Sequence, residues 1–112
     1  MKTTLSIEQF SVCEAYNQRL VILSNTLFNE VDSVLIAPVN VQNDQLLISG
    51  LQVPVTLNNE SCYVDLLDIA TVSKKQLKTV AGNDLQHCRN EIKAGIDLLI
   101  DGDQTFEYKY ST

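Results

Sequence analysis

The sequence lacks tryptophan and has only four glycines, two prolines and one histidine. So few glycines leave no glycine-rich phosphate loop and no glycine/serine linker, and the chain shows no internal repeat. No stretch approaches the ~18 apolar residues that a membrane-spanning helix requires. The N-terminus also lacks the apolar segment of a secretion signal. We therefore expect a cytoplasmic protein that does not cross a membrane.

The cysteines are too few and too irregularly spaced for a disulfide scaffold. Cys13, Cys62 and Cys88 are odd in number and form no C-x-x-C motif, which also argues against a zinc site. We expect reduced thiols, no metal and no cofactor.

Positive charge is scarce as well. The chain has eight basic and fourteen acidic residues, which gives a net charge of −6. A surface of this sign repels phosphate backbones, so direct nucleic-acid binding is not expected. Apolar residues make up 45% of the 112 residues, which is enough for one domain with one modest core.

The apolar pattern predicts strands followed by one helix. Six apolar or alternating runs predict β-strands at 10–16, 20–23, 34–39, 45–49, 53–57 and 61–67. The continuous apolar run 20–23 is typical of a strand that is covered on both faces. The pair Asn58-Asn59 predicts a hairpin turn between two of these strands.

The last third of the chain changes to a helical period. Apolar residues fall on one helix face at Leu85, Cys88, Ile92, Gly95/Ile96 and Leu99. Asn83 and Gln86 are predicted as the N-terminal capping pair of this helix. These elements together predict an α+β, mostly β, fold of antiparallel strands with a C-terminal helix.

Candidate catalytic and metal-binding residues are few. His87 has no partner that would make it a general base, and Cys88 lies on the apolar stripe, so we expect a solvent-facing histidine and a buried thiol. The segment from Asp101 resembles the start of a calcium loop, but Phe106 and Thr112 occupy the positions that require glycine and glutamate. These residues do not indicate an enzyme.

Several segments in the same order resemble the CcdB family, the toxins of CcdA/CcdB-type toxin–antitoxin modules. The similar segments are Gln9–Val12, Val34–Val39, Val53-Pro54-Val55 followed by Glu60-Ser61, Asp68-Ile69-Ala70-Thr71-Val72, and the helix 85–99. The resemblance implies an SH3-type antiparallel barrel of the CcdB/MazF kind with a C-terminal helix, and a homodimer. It leaves an N-terminal extension at 1–8 and a C-terminal tail at 103–112, whose alternating Phe106, Tyr108 and Tyr110 are compatible with a further strand.

The resemblance also implies a set of partner-binding positions, those at which the family contacts the DNA gyrase A protein. They are Leu27, Phe28, Asp97, Ile100, Asp101, Gly102 and Asp103. The family's Trp-Gly-Ile ending is replaced here by Asp101-Gly102-Asp103, and burying carboxylates in place of an interface tryptophan is costly. We therefore expect gyrase poisoning to be lost.

The function predicted from the sequence is a homodimeric, non-catalytic toxin-module protein that binds a protein partner, with a CcdA-like antitoxin as the candidate. Two alternatives stay open. One is a MazF-like RNA endonuclease toxin, which shares the implied architecture. The other is a non-toxic homologue that keeps only antitoxin binding.

Overall fold

The computed structural model describes residues 8–25 and 31–100. The described chain forms seven strands, three short 3-10 turns and one helix. The strands are β1 (Ser11–Ala15), β2 (Gln18–Ile22), β3 (Ser33–Val41), β4 (Gln52–Leu57), β5 (Glu60–Asp65), β6 (Ala70–Ser73) and β7 (Lys78–Asp84), and the helix is α1 (Arg89–Ile100).

All strand pairs are antiparallel, in the order β4-β5-β3-β2-β1-β7, with β6 paired to β3. The long strand β3 organises the sheet, because it pairs with β6 over 33–36 and with β5 over 39–41. Pro38 lies between these two stretches, so neither pairing requires the backbone N–H that proline lacks. Strand β3 thereby connects the β4–β5 hairpin to the rest of the sheet.

The central strands are buried on both faces. Val21 and Leu23 belong to one apolar cluster, and Leu20 and Ile22 to a second. The side chains of a strand alternate between its two faces, so these clusters lie on opposite sides of the sheet. The prediction that 20–23 is a strand covered on both faces is confirmed.

The helix and the 3-10 turn that precedes it close the first of these clusters. Leu85, Cys88 and Ile92 are buried against the sheet, whereas Leu99, on the predicted stripe, is exposed. Gly95 lies so close to its neighbours that a Cβ there would come within 2.5 Å of the Gly50 carbonyl oxygen, and closer still to Leu66 Cδ1. The helix therefore packs through the backbone of Gly95 against the loop at Gly50 and the 3-10 turn at Leu66.

The predicted fold class is confirmed: the protein is α+β and mostly β, with an antiparallel sheet and a C-terminal helix. The hairpin turn at Asn58-Asn59 is present, with positive φ at both residues. The predicted strand 45–49 is wrong, because this segment is a loop in which Leu46 is almost fully exposed. The capping prediction is also wrong, since the Asp84 carboxylate, not Asn83, accepts the hydrogen bond from the Gln86 backbone N–H at 3.0 Å.

Candidate functional site

A cleft of about 510 Å³ lies beside the turn between β1 and β2. Polar side chains from β1, β2 and β3 surround it. The lining residues are Glu14, Asn17, Gln18, Arg19, Val39, Asn40 and Val41.

A tight hairpin sets the position of this cleft. Ala15 pairs with Gln18, which leaves Tyr16 and Asn17 as the two turn residues, with φ of 56° and 60°. Positive φ at both positions is typical of a type I′ turn, whose twist matches that of the flanking strands. The turn fixes the register that places Glu14 directly opposite Arg19.

Arg19 supplies the positive charge of the cleft. Its Nη2 lies 3.2 Å from Glu60 Oε1 and 3.5 Å from Cys62 Sγ, and its side chain is 24% exposed. The Glu60 side chain is 48% exposed, and a pair this open to solvent is held by only ~0–1 kcal/mol. The guanidinium is therefore oriented but can exchange Glu60 for another anion.

Hydrogen-bonded amide side chains, here called the amide wall, also line the cleft. Gln18 Nε2 donates to Asn40 Oδ1 at 3.0 Å and to the Arg19 carbonyl oxygen at 3.2 Å. Asn40 Nδ2 in turn donates to the Tyr63 hydroxyl at 3.5 Å. These bonds link β2, β3 and β5, so the wall is held by three strands.

Charged residues continue in a row across the sheet. Glu14 has Arg19 opposite it on β2 and Lys78 opposite it on β7. Directly opposite residues in antiparallel strands point to the same face. One carboxylate thus stands between two cations, although the chain as a whole carries a charge of −6.

This arrangement fits a phosphodiester. A guanidinium presents a planar fork of donors that matches phosphate oxygens, a carboxylate can accept a proton, and amides can hydrogen-bond to base edges or sugar hydroxyls. None of these residues was predicted from the sequence. Arg19 did carry a signal, because it is the only basic residue between positions 3 and 73.

Two of the seven partner-binding positions predicted from the sequence fall among the described residues, and neither lines the cleft. Asp97 and Ile100 are exposed on α1 and do not line the cleft. The remaining five fall outside the described residues: Leu27, Phe28, Asp101, Gly102 and Asp103. The calcium-like segment and the candidate tail strand fall outside them as well.

His87 and Cys88 do not belong to the cleft. His87 is exposed in the 3-10 turn Gln86–Cys88 and borders a separate groove. Cys88 is buried as predicted, and burial, with a smaller effect of Glu91, raises the pKa of its thiol. Burial also raises the pKa of Cys13. A thiol with a raised pKa is a poor nucleophile, as expected for a residue of the core.

Metal-binding and membrane-spanning features are both absent from residues 8–25 and 31–100. This part of the chain contains no cluster of three histidine, cysteine or acidic side chains that could hold a metal ion. Within the same ranges, no helix has the length and apolar character needed to span a membrane.

A sequence model of the PemK-like, MazF-like toxins of type II toxin–antitoxin systems matches residues 13–100 of this chain. No curated protein gave a sequence match.

Three solved structures share the fold. A crystal structure of an Mtb toxin is 18% identical, covers 76% of this chain and 94% of its own, and has a TM-score of 0.64. An endoribonuclease from a mycobacterial species is 17% identical, covers 86% of this chain and 92% of its own, and has a TM-score of 0.66. A mycobacterial endoribonuclease in complex with its cognate antitoxin is 18% identical, covers 80% and 90% of the two chains, and has a TM-score of 0.62.

These findings correct the family predicted from the sequence. Assignment to the CcdB family is wrong, because the matching family is PemK/MazF-like and the structural neighbours include endoribonucleases. The predictions of a non-catalytic, gyrase-type binding protein and of no enzymatic activity are contradicted by the same findings. Of the hypotheses that the sequence left open, the MazF-like toxin is the one that the family match favours.

The family match spans the residues that form the cleft. It runs from Cys13 in β1 to the end of helix α1 and includes every residue that lines the cleft. The chain therefore belongs to the PemK-like, MazF-like toxin family of type II toxin–antitoxin systems.

Proposed function

We propose that this protein is a toxin that cleaves single-stranded RNA in the cleft around Arg19. The observation that carries the proposal is the position of Glu14 on β1 directly opposite Arg19 on β2, within a domain of the PemK/MazF-like family. Support also comes from the shared fold with two mycobacterial endoribonucleases.

Arg19 binds the phosphate of the bond to be cut. Its guanidinium already holds an anion, the Glu60 carboxylate, at 3.2 Å. A phosphate that replaces Glu60 gains charge-assisted hydrogen bonds, and these strengthen as negative charge builds up on the phosphoryl oxygens in the transition state.

Glu14 is the candidate general base. Its carboxylate is exposed at the cleft and lies on the same sheet face as Arg19. It accepts the proton of the ribose 2′-hydroxyl while the 2′-oxygen bonds to phosphorus, and the bond from phosphorus to the 5′-oxygen breaks. The leaving 5′-oxygen takes a proton from water. The 2′-hydroxyl is absent from DNA, so this reaction is specific for RNA.

The amide wall orients the strand. Gln18 and Asn40 present donors and acceptors of the kind that pair with exposed base edges in single-stranded RNA. Short-range contacts of this type are compatible with a net negative protein, because salt screens charges farther than ~8–10 Å from the phosphate.

The proposal includes a proteinaceous partner. We expect an antitoxin, since one of the mycobacterial neighbours is solved with its cognate antitoxin. We also expect a homodimer. Asp97 and Ile100 stay candidates for a partner surface, because both are exposed on α1 next to the exposed Leu98 and Leu99.

Matched oligonucleotides test this function. The purified protein is incubated with a 5′-labelled single-stranded RNA and with DNA of the same sequence, and the products are resolved on a denaturing gel. We expect discrete RNA fragments and intact DNA. Intact RNA at micromolar protein would contradict the proposal, and would favour a homologue that only binds its antitoxin. Equal cleavage of the RNA and the DNA would contradict the role of the 2′-hydroxyl.

A further inference from the structure

The Arg19 cleft does not end at the β1–β2 turn. A second cleft, of about 240 Å³, adjoins the first and shares Glu14 and Asn17 with it. It reaches Lys78 on β7. The two clefts therefore adjoin at Glu14 and Asn17, and their linings together extend from Arg19 to Lys78.

The turn beside these clefts carries an exposed aromatic ring. Tyr16 borders the second cleft and is 72% exposed, so its ring is not needed for the core. Its φ of 56° is also unfavourable for a tyrosine, whereas asparagine or glycine adopts this value readily. The turn thus holds a large ring in solvent at a position where folding favours a small polar residue.

A second cation lies beyond the ring. Lys78 is exposed and stands opposite Glu14, which in turn stands opposite Arg19. Two strand spacings separate the two cations, or about 10 Å between their backbones. Glu14 repels an anion placed midway, so the cations attract two separate phosphates. A ligand that satisfies both therefore extends over more than one nucleotide.

We infer that the two clefts form one track for a single-stranded polynucleotide, in which Tyr16 stacks on a base and Lys78 binds a phosphate away from the one at Arg19. The inference rests on the proposed function and names the part of the substrate that lies outside the scissile bond. Stacking on an aromatic ring and contact with a cation are the two interactions by which proteins hold single strands without reading their sequence.

Non-cleavable RNA tests the track without requiring cleavage. Fluorescence anisotropy measures the affinity for 2′-O-methyl oligouridylates of two and of six nucleotides. Tyr16→Asn is the central variant, because asparagine suits the turn and the fold should become slightly more stable. Tyr16→Phe keeps the ring. Lys93→Gln, on the exposed face of α1, is matched to Lys78→Gln in charge.

We expect Tyr16→Asn to weaken hexamer binding roughly 5- to 150-fold, and Tyr16→Phe to bind the hexamer with the affinity of wild type. Lys78→Gln should weaken hexamer binding roughly 3- to 10-fold at low salt, and less at high salt. It should leave the affinity for the dinucleotide unchanged, and Lys93→Gln should bind the hexamer as tightly as wild type does. Equal hexamer affinity of wild type and Tyr16→Asn would overturn the track, as would a wild type that binds neither oligonucleotide.

The two proposals fail in different ways. If wild type and Tyr16→Asn cleave RNA at the same rate at a subsaturating RNA concentration, the nuclease proposal is supported and the track is refuted. Tighter hexamer binding by wild type than by Tyr16→Asn, without cleavage of natural RNA, would keep the track and remove the nuclease.

Discussion

Replacement of Gly95 by alanine tests how closely helix α1 approaches the Gly50 loop. An added Cβ would come within 2.5 Å of the Gly50 carbonyl oxygen and closer to Leu66 Cδ1. The side chain of Leu66 can rotate, but a backbone carbonyl cannot, so α1 must shift outward. Such overpacking costs up to ~3 kcal/mol, and alanine returns ~1 kcal/mol of helix propensity. We expect Gly95→Ala to lower the free energy of unfolding by about 2 kcal/mol.

Urea denaturation followed by circular dichroism measures this change. Asn90→Ala is the control, because Asn90 is exposed on the same helix and alanine should raise the free energy of unfolding by up to ~0.7 kcal/mol. A Gly95→Ala variant that is as stable as wild type, or more stable, would refute the close contact between α1 and the Gly50 loop.

Three further predictions concern a turn, an ion pair and two thiols. Asn59→Gly should leave the free energy of unfolding within ~0.5 kcal/mol of wild type, whereas Asn59→Val should lower it by ~1–2 kcal/mol in the same urea assay, because φ is 64° there. Glu60→Gln should tighten binding of the 2′-O-methyl hexamer roughly 2- to 10-fold, since the carboxylate competes with phosphate for Arg19, and unchanged affinity would contradict this. The pKa values of Cys13 and Cys88 are raised above 9.0 by burial, so the stability from burying these thiols is full below that pH and is lost as pH rises through the raised values. The double variant Cys13→Ala, Cys88→Ala should therefore lose less stability than wild type as the pH rises above about 9, and an equal loss would argue against buried thiols.

Much of the fold was predictable from apolar patterning. The run 20–23 indicated a strand with two covered faces, and Leu85, Cys88 and Ile92 indicated the buried side of the helix. Both patterns are clear in the sequence because buried positions are occupied mostly by apolar residues. The segment 45–49 carries a similar apolar run, yet it forms a loop. The prediction was wrong because nothing in the run itself distinguishes a buried strand from an exposed loop.

Two strands were missed for the opposite reason. Strands β6 and β7 contain many polar residues, among them Ser73, Lys78 and Thr79, and carry no clear alternation. Their stability comes from pairing with β3 and β1, which are distant in the sequence. Local patterns cannot reveal strands that depend on such long-range partners.

The candidate site was hidden by the same distance. Glu14 and Arg19 are close in the sequence, but Lys78 and Glu60 join them only through the sheet register and the β4–β5 hairpin. The net charge pointed away from nucleic acid, because a sum over the whole chain does not describe one cleft. Arg19, the only basic residue between positions 3 and 73, was the one local signal available.

The single-turnover rate of RNA cleavage by Arg19→Gln tests the central claim most directly. Arg89→Gln is the matched control, because Arg89 is exposed on α1 outside the cleft and the variant loses the same charge. We predict that Arg19→Gln cleaves a 5′-labelled single-stranded RNA at least ~100-fold more slowly than wild type, with an unchanged circular dichroism spectrum, while Arg89→Gln stays within ~3-fold. Equal rates for Arg19→Gln and wild type would contradict the assignment of the cleft as the active site.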